Sequence, residues 1–310
     1  MNIVLYESGI RGIPQFLECC FKQIRMFNPD IPIYLLINKE NIDNDLFKKY
    51  NITSIDKDLY KGNGLPNLRY TSKINLLCRL YGKNPENFWM ITTTRLVYIE
   101  NFIVAHNLKD VYYFENDVLL YYNLQEYNEI FQKLFEHLAI TTAGRIWSMT
   151  GFFYIKDGVS ISLMTQFFID MLIKFNRVGL ARRFGWYKPH HCVNEMKLIK
   201  LYGQLKGSQY LSNLPILPFG EYSENFNSFN SIFDSNALGA YVGGVPKSEK
   251  PGYLLTHLYV GELLWKNPSY TVVWEKDELQ RNIPYFKYDN NEVKINNLHI
   301  TSKILQPYMS

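Results

Sequence analysis

The chain has 310 residues, with 47% hydrophobic and 20% charged, long enough to bury a substantial core. Lys and Arg number 33 against 29 Asp and Glu, a net charge of +4, too small an excess to point to nucleic acid or an anionic membrane surface. No window of about 18 apolar residues is free of polar breaks, which excludes a membrane-spanning helix, and Cys19, Cys20, Cys78 and Cys192 lack the C-x-x-C spacing of a zinc site or a disulfide framework. Reduced thiols and the absence of a secretory leader before the first strand give a cytoplasmic expectation.

In chain order, Ile3 to Tyr6 reads as a strand ended by Glu7-Ser8-Gly9, Phe16 to Phe27 as a helix, and Ile33 to Ile37 as a second strand stopped at Asn38. A strand, helix, strand unit implies parallel pairing with a right-handed crossover. Leu46 to Tyr50 reads as a helix and Ile52 to Ile55 as a strand, followed by an open loop from Asp56 to Tyr70 that holds Gly62, Gly64 and Pro66. Ser72 to Asn107 is helical in two parts broken near Gly82 and Pro85.

Val111-Tyr112-Tyr113-Phe114 is a continuous apolar run, suited to a strand buried on both faces, and it ends in Glu115-Asn116-Asp117. Further strands are expected at Leu138 to Thr141, Gly151 to Ile155 and Leu214 to Leu217, with helices at about Ser160 to Asn176 and Cys192 to Gln204. The pattern predicts one α/β domain, a mostly parallel central sheet flanked by helices, with an irregular C-terminal third punctuated by Gly239, Gly243, Gly244, Pro246, Pro251 and Gly252. In such sheets ligands gather beyond the C-terminal strand ends, where Glu7-Ser8, Asn38 and Glu115-Asn116-Asp117 would meet.

A carboxylate at the lip of a rigid buried strand can bind a hard divalent cation with little loss of side-chain freedom, although acidic pairs after strands also serve as turns and caps. Phe88-Trp89-x5-Thr94-Arg95-Leu96 followed by Val111-x2-Phe114-Glu115-Asn116-Asp117-Val118 resembles the helix and Asp-x-Asp-type motif of GT-A glycosyltransferases. Phe233-Asp234-x4-Gly239-x-Tyr241-x-Gly243-Gly244 and Ile295-x-Asn297-Leu298-His299-Ile300-x-Ser302-Lys303 are similar to segments of bacterial and viral members that build surface glycans. The likeness spans nearly the whole chain in short motifs, with Glu in place of the first Asp.

The resemblance implies a GT-A, Rossmann-like fold over 1–310, with 1–120 as the nucleotide-binding half and 121–310 as the acceptor-binding half carrying a C-terminal metal ligand. It implies transfer of a sugar from a nucleotide-sugar donor, UDP-linked by preference and GDP-linked as an option, to a glycan acceptor in surface polysaccharide or glycoprotein-glycan synthesis. Mn²⁺ or Mg²⁺ would be held by Asp117 and, as second ligand, His299, since imidazole with carboxylate suits Mn²⁺. Glu115 would act at the ion or the ribose.

Arg95 is a candidate contact to the donor or to Asp117, and Lys303 could neutralise the departing diphosphate. Tyr6, Ser8, Asn38 and Asn116 are expected on the donor side, and Gly151 is expected to let a sugar approach the backbone. Glu195 is the favoured general base, with Asp234 as a sugar-hydroxyl contact. The pair His190-His191 has no second half at zinc spacing, and Arg182-Arg183 reads as a turn or flap. The alternatives are a nucleotidyltransferase, only faintly suggested by Glu7-Ser8-Gly9-Ile10-Arg11-Gly12, and a catalytically inactive glycan-binding or scaffold relative.

Overall fold

The computed structural model of the chain describes residues 1–8, 12–61, 73–78, 88–178 and 194–310, without the side chains of 175–178. The expected loop residues 62–70, the break near Gly82 and Pro85, Arg182-Arg183 and His190-His191-Cys192 lie outside the described residues.

Strands β1 (Asn2–Tyr6), β2 (Ile33–Ile37), β3 (Thr53–Asp56), β4 (Lys109–Phe114), β6 (Leu138–Thr142), β7 (Ser148–Asp157) and β8 (Leu211–Asn213) form a sheet in the order β3-β2-β1-β4-β7-β6-β8. Every neighbouring pair is parallel except those made by β7, which runs against both β4 and β6. Helices α1 (Phe16–Phe27) and α2 (Asp45–Lys49) provide the crossovers between the first three strands. Further helices are α3 (Phe88–Ala105), α4 (Leu124–Leu134), α5 (Gly158–Val178), α6 (Glu195–Lys206), α7 (Phe226–Phe229), α8 (Ala237–Gly243) and α9 (Tyr259–Lys266), and residues 73–78 are also helical. No described helix is long and apolar enough to cross a membrane.

The alternating side chains of β4 enter two separate cores. Tyr112 and Phe114 pack with Phe131, Phe152 and Tyr154 on one face, while Val111 and Tyr113 join Leu96, Ile99 and Phe153 on the other. All of these are buried, so the strand is clamped from both sides and cannot slip register without exposing one of the two sets. A rigid platform therefore ends at Phe114, and the turn 115–117 that follows inherits its position.

Two expectations need correction. The strand expected at Leu214 to Leu217 lies earlier, at Leu211–Asn213. Leu214 still donates to the Ile140 carbonyl, but Pro215 has no N–H to continue the ladder, and the amides of Ile216 and Leu217 both turn back to the Tyr222 carbonyl. The C-terminal third is also more regular than the glycine and proline punctuation implied. Beyond the turns that follow α8, β10 (Thr271–Lys276), β11 (Asn282–Tyr288) and β12 (Asn291–Ile295) make an antiparallel meander, and β12 pairs in parallel with β9 (Ser231–Ile232).

One small pairing matters most for the site. β5 (Val118–Leu120) runs antiparallel to β13 (Asn297–His299), with His299 opposite Val118. The Ile300 amide then donates to the Asp117 carbonyl at 2.8 Å, and the Tyr121 amide donates to the Asn296 carbonyl at 2.9 Å. Residues distant in sequence are thus tied together beside the acidic turn.

Candidate active site

Glu115, Asp117 and His299 converge: one ligand atom from each lies within 4.8 Å of the others. His299 Nε2 stands 3.2 Å from Asp117 Oδ1 and 3.7 Å from Glu115 Oε2. Asp117 and His299 are buried, and Glu115 is the most open of the three.

The imidazole is aimed by its surroundings. A Cβ on Gly151 would stand 2.7 Å from His299 Nδ1, so only glycine leaves room for the ring. The space that sequence reading assigned to a sugar is therefore filled by His299. Nδ1 has no partner among the described residues and is pressed against the backbone, which leaves Nε2 as the atom able to take a ligand. From the other side the His299 amide donates to Asp234 Oδ2 at 3.0 Å.

Glu115 is held on one oxygen only. Oε1 accepts from Arg95 Nη2 at 2.7 Å and from Thr150 Oγ1 at 2.6 Å, and Arg95 also donates to that Thr150 hydroxyl at 2.6 Å. Arg95 further faces Glu195 Oε1 at 3.6 Å and lies over the Tyr113 ring. The partner of Arg95 is thus Glu115 and not Asp117. Among the described residues, Glu115 Oε2 and the Asp117 carboxylate meet no donor other than His299.

The electrostatics follow from this layout. Burial works against an imidazolium at His299, but the Asp117 carboxylate in contact, with Glu115 and Asp234 nearby, raises its pKa to about 9. Burial likewise opposes the Glu115 carboxylate, yet Arg95, His299 and Thr150 hold it down at about 2. Two carboxylates and one imidazole proton therefore share a pocket, an arrangement in which a divalent cation would take the place of the proton. The donor set of the Asp117 carboxylate, the free Oε2 of Glu115 and one imidazole nitrogen fits such an ion.

The other sequence-derived candidates divide. Glu195 joins the cluster at its back: 3% exposed, it accepts from Thr92 Oγ1 at 2.7 Å and faces Arg95, and burial raises its pKa, partly countered by Arg95 and Thr92. Those contacts turn it toward protein and away from the position expected of a general base. Asp234 is 1% exposed; Oδ1 accepts from the Leu238 amide at 2.9 Å and Oδ2 from the Gly239 and His299 amides at 2.8 and 3.0 Å. With its oxygens engaged by backbone, it is not placed as a sugar-hydroxyl contact.

Asn116 turns the other way, donating to the Tyr6 carbonyl at 3.0 Å and Glu7 Oε2 at 2.9 Å, which staples β4 to β1. Tyr6 packs against the Tyr98 ring, and Ser8 Oγ donates to Glu7 Oε1 at 3.2 Å. Asn38, at the end of β2, donates to Glu40 at 3.1 Å. Lys303 is exposed and rests over the Phe16 ring at the start of α1. Tyr6, Ser8, Asn38 and Lys303 lie on the same edge as the acidic turn or beside α1, but no described contact joins them to the Glu115, Asp117 and His299 cluster.

Sequence reasoning missed Thr150, Thr92 and Lys57. Lys57 is buried, and its ammonium donates to the Ser8 carbonyl and lies over the Tyr6 ring. A signal existed for Thr150: it directly precedes Gly151 on the strand that pairs with β4, Phe152 standing opposite Phe114.

No protein-family model matches the chain, and no curated protein matches it. Among solved structures, it is similar to mouse xyloside xylosyltransferase 1 in its apo form, with a TM-score of 0.48 and 7% identity over 74% of this chain and 92% of that one. It is also similar to the glycosyltransferase GlyE of Streptococcus pneumoniae, with a TM-score of 0.37 and 18% identity over 77% of this chain and 47% of that one. A cytidylyltransferase from Leptospira borgpetersenii matches with a TM-score of 0.36 and 12% identity over 86% of this chain and 94% of that one.

Proposed function

We propose that the chain is a metal-dependent glycosyltransferase that moves a sugar from a nucleotide-sugar donor, UDP-linked by preference and GDP-linked as an option, to a glycan acceptor in surface-glycan synthesis. The observation that carries this reading is the convergence of Glu115, Asp117 and His299 Nε2 at the lip of the central sheet, with carboxylate oxygens left free of other donors.

In this reading Asp117 and His299 hold Mn²⁺ or Mg²⁺, joined by Glu115 through Oε2. When bound, the ion supplies a positive charge against the negative charge that develops on the leaving diphosphate. Arg95 and Thr150 fix Glu115 in one rotamer and neutralise its other oxygen, and Glu195 in turn fixes Arg95. Glu195 is accordingly a positioning residue. Tyr6, Ser8 and Asn38, with Lys57, would face the nucleoside, and Lys303 would add a point charge against the phosphates.

A thermal-shift screen of UDP-, GDP-, CMP- and dTDP-linked sugars with and without Mn²⁺ tests the proposal, because a ligand present well above its Kd raises stability. The expected result is stabilisation of the wild type by one nucleotide class only when Mn²⁺ is present, with Asp117→Ala losing the response. Absence of any shift in either protein would remove the reading.

A further inference from the structure

We infer that Asp234 is a positioning residue that sets how far His299 reaches toward the cation, an inference that rests on the metal site proposed above. The argument is geometric. β13 carries His299 on three residues paired with β5, and the Ile300 amide holds that side by donating to the Asp117 carbonyl. Asp234 fixes the opposite side: its Oδ2 accepts the His299 amide at 3.0 Å and the Gly239 amide at 2.8 Å, while Oδ1 accepts the Leu238 amide at 2.9 Å.

One carboxylate thus joins β13 to the start of α8. The backbones meet so closely that a Cβ on Gly239 would stand 2.1 Å from the His299 carbonyl oxygen. Asn297 completes the brace, its Oδ1 accepting the Asp234 amide at 3.3 Å. With Gly151 of β7 packed against Nδ1, the residue is fixed at its backbone by Asp234 and on the Nδ1 side of its ring by β7. The buried charge of Asp234 is satisfied by amides alone, so its function is to place a ligand and not to be one.

The test is calorimetric titration of Mn²⁺ and Mg²⁺, without donor, into the wild type, Asp117→Ala and Asp234→Asn, with Tm recorded for each. Asp234→Asn keeps the side-chain shape but replaces one acceptor oxygen by an N–H donor. It is expected to weaken Mn²⁺ binding by about 10–100-fold, the usual effect of removing a group that orients a metal ligand. Mg²⁺ binding should change much less, because that ion draws on oxygen ligands.

Unchanged Mn²⁺ affinity in Asp234→Asn, or equal losses for the two ions, overturns the positioning role while leaving the metal site standing. A wild type that binds no Mn²⁺, or an Asp117→Ala that binds it as tightly, overturns the metal site itself. Should Asp234→Asn fail to fold, Asp234→Glu, which keeps the charge but advances the oxygens by one methylene, is read by the same ratio of Mn²⁺ to Mg²⁺ affinity.

Discussion

The two flanks of the acidic turn are built on different terms. On the Glu115 side, Arg95, Thr150, Glu195 and Thr92 make a chain of side-chain contacts, four of them hydrogen bonds of 2.6 to 2.7 Å, in which charges are already paired. On the Asp117 side, a carboxylate and an imidazole face each other with few other side-chain partners, and their places are set by backbone: the β5 and β13 pairing, the Asp234 acceptor and the bare Cα of Gly151. A satisfied flank stiffens the turn, while an under-satisfied one keeps ligand capacity in reserve.

The comparison is broken most forcefully from the paired side. Arg95→Met removes the guanidinium that lies between the half-buried Glu115 and the buried Glu195, and breaking a buried pair typically costs about 3–5 kcal/mol. A large fall in stability by denaturant unfolding at neutral pH is expected, partly recovered in acid as the carboxylates protonate. A variant as stable as the wild type would show that Arg95 neutralises nothing of consequence.

The pH dependence sharpens the contrast from the other side. His299 has its pKa raised above the ordinary 6.5 to about 9, so its contribution to metal-free stability is fully present below pH 6.5 and is lost as pH rises through 9. Metal binding displaces that proton, so Mn²⁺ affinity should rise by about tenfold per pH unit from 7 toward 9 and then level off. Calorimetric titrations across that range check the slope, and a flat profile would show that no proton is exchanged at the site.

The smallest effect is expected for Gly151→Ala. Its methyl group would stand 2.7 Å from Nδ1 and must push the ring aside, which predicts weaker Mn²⁺ binding by about tenfold with a modest change in Tm. Tight binding retained in this variant would mean that the ring has more freedom than its packing implies.

How much was legible in the sequence follows the same divide. β1, α1 and β2 were readable because α1 carries an apolar face at helical spacing while β1 and β2, like the run through Phe114, are continuous apolar runs covered on both faces. Asp117 and His299 were found through motif resemblance. Their closeness depends on a three-residue pairing too short to leave a period. The C-terminal meander escaped because its exposed first strand, Thr271–Lys276, mixes apolar and charged residues without strict alternation, and because the preceding glycines and prolines drew attention to turns. Arg95, Glu115 and Glu195 were singled out, but the hydroxyls that support them were not, since Thr150 and Thr92 are ordinary strand and helix residues until the tertiary fold places a charged group beside them. Glu195 and Asp234 were recognised as chemically potent, yet only the fold reveals that their oxygens are buried against protein donors.

The joining of β13 to β5 has a consequence for synthesis. The imidazole that completes the triad is separated from Asp117 by more than half of the chain, so a ribosome has translated the whole central sheet long before His299 emerges. During that interval the nascent protein carries two acidic groups beside Arg95 but lacks the nitrogen ligand. Site assembly therefore waits for the segment that carries His299 to pair with β5, and under the proposed function metal uptake would report that pairing as it forms.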